Sequence, residues 1–328
     1  MATKSANLAL EDFLIPSSAL LETQGEIIPA CLSVDIALSG GIPEGVNVLL
    51  SGKPKVGKTT LALQYVQQCH RLYPEKKVFF FDVEGRLRSE LIDCFPEINK
   101  DNFNIVKSNE KKILTAEDYL NLIYQTLKDH NKCVCILDSV AALCPEAELQ
   151  SNIGDSVRMA GVPSLMYKMF RRTSQILSVT QSTFIALTHM IANPNPGPGK
   201  KSATVGGNAT QYGASVWLEA PWKQDISDKN NNSIGQIAHF NVLSSALGAP
   251  GGSVAVPIIY GKGVDEHMDL FNVACEMGLI QRSGAWYSID GTDIKCQGQF
   301  AMIDELRKDK ELYDGLYSSI RSMTIVSE

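Results

Sequence analysis

The residues best equipped for chemistry run consecutively: Gly52-Lys53-Pro54-Lys55-Val56-Gly57-Lys58-Thr59, a full G-x-x-x-x-G-K-T, followed by Thr60. Glycines at both ends let such a loop wind tightly enough to turn successive backbone N–H groups toward phosphate oxygens, while Lys58 adds a fixed positive charge and Thr59 a hydroxyl for Mg²⁺. Before the loop, NVLLS reads as a buried strand. After it, TTLALQYVQQCHRLY sets Leu61, Leu63, Val66 and Cys69 at near-helical spacing. The loop amides therefore sit at a helix N-terminus, where the dipole favours anions. Strand, loop and helix come in the order that binding of a nucleoside triphosphate requires.

Three further apolar runs end in groups that could act on that phosphate. KVFFFDVE reads as a strand buried on both faces and closes on Asp82 and Glu84. Ligands of open parallel sheets lie beyond the carboxyl ends of the strands, so either acid could orient water toward a γ-phosphate. A helix cap or a surface acid is the plainer reading of the same two residues. CVCILDS terminates in Asp138-Ser139, a Walker-B pattern in which Asp138 binds magnesium through water, opposite Thr59. TFIALTH ends in His189, which could sense the γ-phosphate, although a lone histidine at a strand end is more often a hydrogen-bonded structural group.

These strands need a large α/β core to hold them, and the chain can supply one. Its 328 residues, 44% hydrophobic and 20% charged with a net charge of −6, suit one large core with smaller appendages rather than two equal halves. The charge balance gives no global attraction for nucleic acid, so any such contact must come from local basic loops. No apolar run approaches the ~20 residues that span a bilayer, and the first residues lack a signal-like apolar core. The chain reads as cytosolic and without a membrane partner. Eight cysteines, without a C-x₂-C pair, suggest neither zinc nor disulfides; Cys133 and Cys135 alternate along one strand and read as core filler.

In chain order, LALEDFLIP suggests a short helix ended by Pro16, then a linker to Pro29: an arm over residues 1–30 that could pack on its own core or on a neighbouring subunit. CLSVDIALSGGIPEG suggests a short helix closed by Gly40 and Gly41, which opens the nucleotide domain. Past His189, MIANPNPGPGKKSATVGGNA is rich in proline and glycine and is expected to stay out of the sheet as a projecting loop carrying Lys200 and Lys201. A second glycine-bearing basic segment, LQSNIGDSVRMAGVPS, offers Arg158 and Met159, with Arg171 and Arg172 on the helix that follows. Two such segments suggest a shared track for a polynucleotide backbone, though each alone also reads as a solvated surface loop.

Taken together, SVDIALSGGIPEG, GKPKVGKTT, FFDVE, ILDSVAAL, NIGDSVRM, VGGNATQYGASVWL, IIYGKGVDEHMDL and GLIQRSGAWYSIDG make the chain resemble the RecA family of strand-exchange recombinases over roughly residues 30–290. The histidine in ALTHM, where cellular bacterial members carry glutamine, resembles the phage branch typified by UvsX. The resemblance implies a RecA-like P-loop NTPase core, α/β with a mostly parallel central sheet flanked by helices, between a short N-terminal arm and a small C-terminal helical or α+β tail. It implies ATP and Mg²⁺ as cofactors, DNA-dependent hydrolysis, a helical filament on single-stranded DNA, and exchange with a homologous duplex. Single-strand-binding and mediator proteins are the accessory partners it would allow, in a bacterial cytosol or, for a phage protein, that of its host.

Residue by residue, the resemblance gives Glu84 as the water-orienting base, Lys58 and Thr59 on phosphate and magnesium, Asp138 as the Walker-B acid, His189 as the reporter of nucleotide state and Tyr260 beside the base. It places Arg158, Met159, Arg171, Lys200, Lys201, Gly206, Gly207 and Asn208 on the DNA side. Two departures matter. Cellular bacterial members reach across the subunit interface with two lysines, where Ser244 and Ala246 stand here, so turnover is expected to be low unless another cation such as Lys262 substitutes. Leu91 stands where an aromatic ring often faces adenine. The expected division is an arm over 1–30, an ATPase core over 31–265 and a small region over 266–328, whose Met302, Ile303, Leu306, Leu312 and Leu316 suggest an amphipathic helix pair. A non-hydrolysing DNA-binding paralogue and a ring-forming helicase or motor remain open as alternatives.

Overall fold

The computed structural model describes residues 10–19, 25–153, 161–192, 202–204, 213–228 and 230–324. Nine strands make the continuous path of the main sheet: β1 (Asn47–Gly52), β2 (Val78–Asp82), β3 (Phe103–Val106), β4 (Val134–Asp138), β5 (Thr183–Ala192), β6 (Val216–Ser227), β7 (Ser233–Ser244), β8 (Ser253–Ile259) and β9 (Gly263–Val264). Their spatial order is β9-β8-β7-β6-β1-β5-β4-β2-β3. The strands from β3 across to β6 run parallel, and β7, β8 and β9 extend the sheet antiparallel. This is the α/β architecture with a mostly parallel central sheet that the sequence suggests.

The apolar runs are continuous because both faces of the parallel part are covered. Alternation then sorts them: Val48 and Leu50 turn to the face covered by α1 (Leu32–Ala37) and α2 (Lys58–Leu72), whereas Leu49 turns to the face covered by α3 (Ala116–Asp129) and α4 (Gly161–Thr180). Cys133 and Cys135 share that second face as free, buried thiols. A capping box starts α3: the Thr115 side chain accepts the Asp118 N–H, and Asp118 accepts the Thr115 N–H. Helix α2 is buried almost all round, more than its apolar spacing suggests, because Gln64 and Gln68 donate to Glu266 Oε1 at 2.7 and 2.5 Å.

Glu266 opens α5 (Glu266–Glu276), which packs with a three-stranded sheet of β10 (Ile280–Ser283), β11 (Trp286–Ile289) and β12 (Lys295–Gln297), and with α6 (Gln299–Lys308) and α7 (Lys310–Thr324). Met302, Ile303, Leu306 and Leu316 are buried there and Leu312 packs against them, as the amphipathic spacing suggests.

Two expectations need correcting. The Pro/Gly-rich segment does pair with the sheet: β5 continues past His189 to Ala192, and Ser202–Thr204 folds back antiparallel on it, Met190 opposite Thr204. Composition hid this pairing because the six residues that make it lack proline and glycine themselves. At the N-terminus, Leu10–Phe13 forms a single 3₁₀ turn, and Leu10, Phe13, Leu14 and Ile15 are exposed.

Candidate nucleotide-binding site

The parallel register brings the functional strand ends to one edge. Gly52 stands opposite His189 on β5, and Asp82 opposite Asp138 on β4. The phosphate loop leaves β1 at Gly52, where an added Cβ would lie 2.4 Å from the Ala220 carbonyl oxygen, so only glycine allows the exit. Gly57 holds φ at 105°, and a Cβ there would meet Ile258 at 2.4 Å. Gly57 caps α2 without a side-chain hydrogen bond. The first amides of this 15-residue helix are therefore left for an anion.

Lys58, only 5% exposed, folds back over the loop, and its Nζ donates to the carbonyl oxygens of Gly52 at 3.1 Å and Lys53 at 2.9 Å. Its third contact is His189 Nδ1 at 3.2 Å. Burial pushes the Lys58 ammonium down to about 8, while Asp138 and Glu84 pull it upward. Thr59 Oγ1 donates to Asp138 Oδ2 at 2.8 Å. Burial raises Asp138 to about 6 against the lowering bond from Thr59, with Glu84 adding repulsion. A half-buried carboxylate and a hydroxyl in contact are the donor pair a hard, mostly hydrated cation such as Mg²⁺ accepts. Both features fit a magnesium triphosphate: uncapped amides with a buried ammonium for the phosphates, and an oxygen pair for the metal.

Glu84 lies just past β2. Asp82, buried, accepts the N–H groups of Arg86 and Leu87 at 3.1 Å each, closing the turn that carries Glu84 toward β4 and β5. Glu84 Oε1 then accepts from Ser139 Oγ at 2.7 Å and from His189 Nε2 at 3.1 Å, and Arg86 pairs with Oε2 at 3.0 Å. Burial works to raise the Glu84 carboxyl, but the bonds from Ser139 and His189 and the charge of Arg86 outweigh it, leaving it below the usual range. Glu84 is thus held as an acceptor.

A cavity of about 470 Å³ joins these groups and is walled by Leu87, Leu91, Ile258 and Tyr260. Tyr260 is half exposed and donates through its hydroxyl to Gln236 Oε1 at 3.4 Å. Sequence reasoning passed over Gln236. This buried side chain donates to the Lys55 carbonyl at 3.3 Å and accepts from Lys223 at 2.7 Å, tying the phosphate loop to the antiparallel strands. The available signal was one polar residue at a core position of SIGQIAHF. Ser139 and Arg86 were likewise assigned no role from sequence.

The sequence-derived DNA-side residues are mostly out of reach: Arg158, Met159, Lys200, Lys201, Gly206, Gly207 and Asn208 lie outside the described residues. Arg171 is exposed on α4 with its guanidinium 5.5 Å from the Tyr167 ring, and Arg172 lies 3.9 Å from the Tyr124 ring of α3. Ser244 pairs with Trp217, which pairs with Leu49, toward the opposite end of β1 from Gly52; its hydroxyl donates to the Ser215 carbonyl at 3.1 Å. Lys262 is exposed two residues past Tyr260, which lines that cavity.

Comparison with known proteins follows the same lines. The RecA N-terminal domain family matches residues 21–265, and the RecA C-terminal domain family matches residues 268–324. Among curated relatives, Protein RecA of Phytoplasma mali is 29% identical over 297 residues, 88% of this chain and 83% of the relative. Protein RecA of Petrotoga mobilis is 29% identical over 305 residues, 90% and 79% of the two chains. Protein RecA of Desulforapulum autotrophicum is 30% identical over 264 residues, 80% and 73%. With its parallel sheet, its phosphate loop and family matches over most of its length, the chain belongs to the RecA family.

Proposed function

We propose that this chain is an ATP-dependent DNA recombinase that polymerises on single-stranded DNA and carries out homologous pairing and strand exchange in recombination and repair. The observation that carries this reading is the contact chain from Lys58 through His189 to Glu84, because its middle member, His189, sits on the strand that leads into the basic segment. A group that touches both the phosphate-binding lysine and the water-orienting acid, and leads directly into a DNA-side segment, can couple nucleotide state to DNA grip. Magnesium, held through Thr59 and Asp138, would neutralise charge on the transferring phosphoryl group.

The chain's own residues divide the remaining work. Loop amides and Lys58 bind phosphate, Glu84 orients water, Ser139 and His189 fix the Glu84 carboxylate, and Tyr260 borders the base. Arg158, Met159, Arg171, Lys200, Lys201, Gly206, Gly207 and Asn208 take the DNA backbone. We assign the arm to residues 1–30, the ATPase core to 31–265 and the small C-terminal region to 266–328. His189 in place of glutamine supports placement in the UvsX-like phage branch. Single-strand-binding and mediator proteins complete the proposed set of partners, in a cytosol; no helix among the described residues is long and apolar enough to cross a membrane.

Electron microscopy of the protein with single-stranded DNA and a slowly hydrolysed ATP analogue tests the reading, alongside a strand-exchange assay. Helical filaments and exchanged strands are expected. Closed rings, or DNA binding without exchange, would replace it with a motor or with a non-hydrolysing paralogue.

A further inference from the structure

The two oxygens of the Glu84 carboxylate stand in unequal surroundings. Oε1 accepts from Ser139 Oγ at 2.7 Å and His189 Nε2 at 3.1 Å, which fills the acceptor positions of that oxygen. Oε2 is therefore the oxygen left to orient water, and Arg86 stands against it at 3.0 Å. The acid assigned to water is masked on its working side by a cation of its own chain.

That cation is fixed at its root and free at its tip. The Arg86 backbone N–H is given to Asp82 Oδ1 at 3.1 Å, and the next residue, Leu87, packs its side chain against the core. The Arg86 side chain is 81% exposed, whereas that of Glu84 is 16% exposed. An ion pair with one partner in water holds weakly, so the guanidinium can swing without disturbing the turn that carries it. Arg86 also lines the nucleotide cavity, together with Lys55 and Lys58. Lys58 is committed to two loop carbonyls and His189, but Arg86 is held by a carboxylate that a phosphate can replace. From Arg86 the contacts run through Glu84 and His189 to Lys58, which puts the guanidinium within the same cluster as the phosphate-binding ammonium.

A terminal phosphate carries more negative charge than a carboxylate and offers the same paired oxygens to a planar guanidinium fork. We propose that Arg86 senses the γ-phosphate: a nucleoside triphosphate draws its guanidinium off Glu84 Oε2, and the freed oxygen takes the attacking water. A diphosphate brings no terminal phosphate to that place, so Arg86 stays on Glu84 and the acid stays masked. This role rests on the nucleotide site proposed above and adds to it a means of telling triphosphate from diphosphate. It is separate from the charge missing at Ser244 and Ala246, because Arg86 serves the cavity of its own chain.

Calorimetric titration of the full chain with Mg²⁺ and either ADP or a slowly hydrolysed ATP analogue reads this without turnover. Arg86→Gln should weaken the triphosphate roughly tenfold, the worth of a lost charge-assisted contact, and leave ADP affinity as it was. Arg88→Gln, exposed two residues on and outside the cavity lining, should change neither. Glu84→Gln should tighten the triphosphate more in the parent chain than in the Arg86→Gln background, because the parent has a guanidinium to release. Equal loss for both nucleotides, no loss for either, or equal tightening in the two backgrounds overturns the proposal. Filaments and strand exchange by the parent chain beside any of those three results would sink the sensor role alone and leave the recombinase reading in place.

Discussion

Lys58 and His189 meet at 3.2 Å between Nζ and Nδ1, and the same imidazole reaches Glu84 Oε1 through Nε2 at 3.1 Å. An ammonium can only donate, so Nδ1 accepts from Lys58 and the ring proton sits on Nε2, aimed at the carboxylate. A neutral imidazole in this tautomer satisfies both neighbours. His189→Ala removes both bonds, and we expect the DNA-stimulated ATPase rate to fall roughly 100-fold, the low end for a lost acid–base or orienting group, with nucleotide affinity changed little. His189→Gln can still accept with its oxygen and donate with its nitrogen, so it should recover much of the rate. Steady-state kinetics of the two variants check this, and equal losses in both would show that the relay has no role.

Asp138 gives a prediction about stability. Its folded carboxyl is raised to about 6 from an ordinary 3.8, so between those values the folded chain holds a proton that the unfolded chain releases. This group's contribution therefore falls as pH rises through that window, and at neutral pH the half-buried carboxylate costs on the order of 2 kcal/mol. Asp138→Asn keeps an acceptor for Thr59 without the charge. The ligand-free variant should melt a few degrees higher than the parent chain at pH 7.5, with the difference vanishing below pH 4, yet gain little stabilisation from ATP with Mg²⁺. Thermal melts across pH, with and without the magnesium nucleotide, decide it; a variant stabilised as strongly by the ligand would remove Asp138 from the metal site.

What was legible in the sequence is what is local along the chain. Gly52 to Thr59 and the tip of CVCILDS announce themselves because strand, loop and acid follow one another within a few residues, and register then brings Thr59 and Asp138 to 2.8 Å. Gln236 and Ser139 were not legible in this sense. Gln236 belongs to the site only because β7 and β8 bring it beneath Lys55 and beside Tyr260, and neither contact leaves a periodic signal. The pairing of Ser202–Thr204 with the end of β5 was hidden by its proline- and glycine-rich neighbours. Glu266, an ordinary acid in the sequence, gains its place from two glutamines about 200 positions earlier on α2.

Lys58 is the most direct test of the nucleotide mechanism. Its ammonium is buried and satisfied by two loop carbonyls and His189, so Lys58→Ala removes phosphate charge and leaves those acceptors without their donor. ATP-dependent binding to single-stranded DNA should be lost. Fluorescence anisotropy with a labelled oligonucleotide, run with and without nucleotide, measures this directly, and unchanged DNA and nucleotide affinities would remove the proposed coupling.

The Ser244 to Ala246 turn yields the last prediction. Through Trp217 and Leu49 it lies down the sheet from Gly52, so it cannot serve the chain's own phosphates and could act only on a neighbouring subunit's site. Neither side chain carries charge, and the Ser244 hydroxyl is already bonded to the Ser215 carbonyl. A cation facing charge that develops in the transition state is worth roughly 3 kcal/mol, about a 100-fold effect on rate. We therefore expect slow DNA-stimulated hydrolysis, raised at least tenfold by the double substitution Ser244→Lys and Ala246→Lys, with the gain visible only at protein concentrations that support filaments. Turnover of the parent chain equal to that of lysine-bearing relatives would mean that another group, such as Lys262, already supplies the charge.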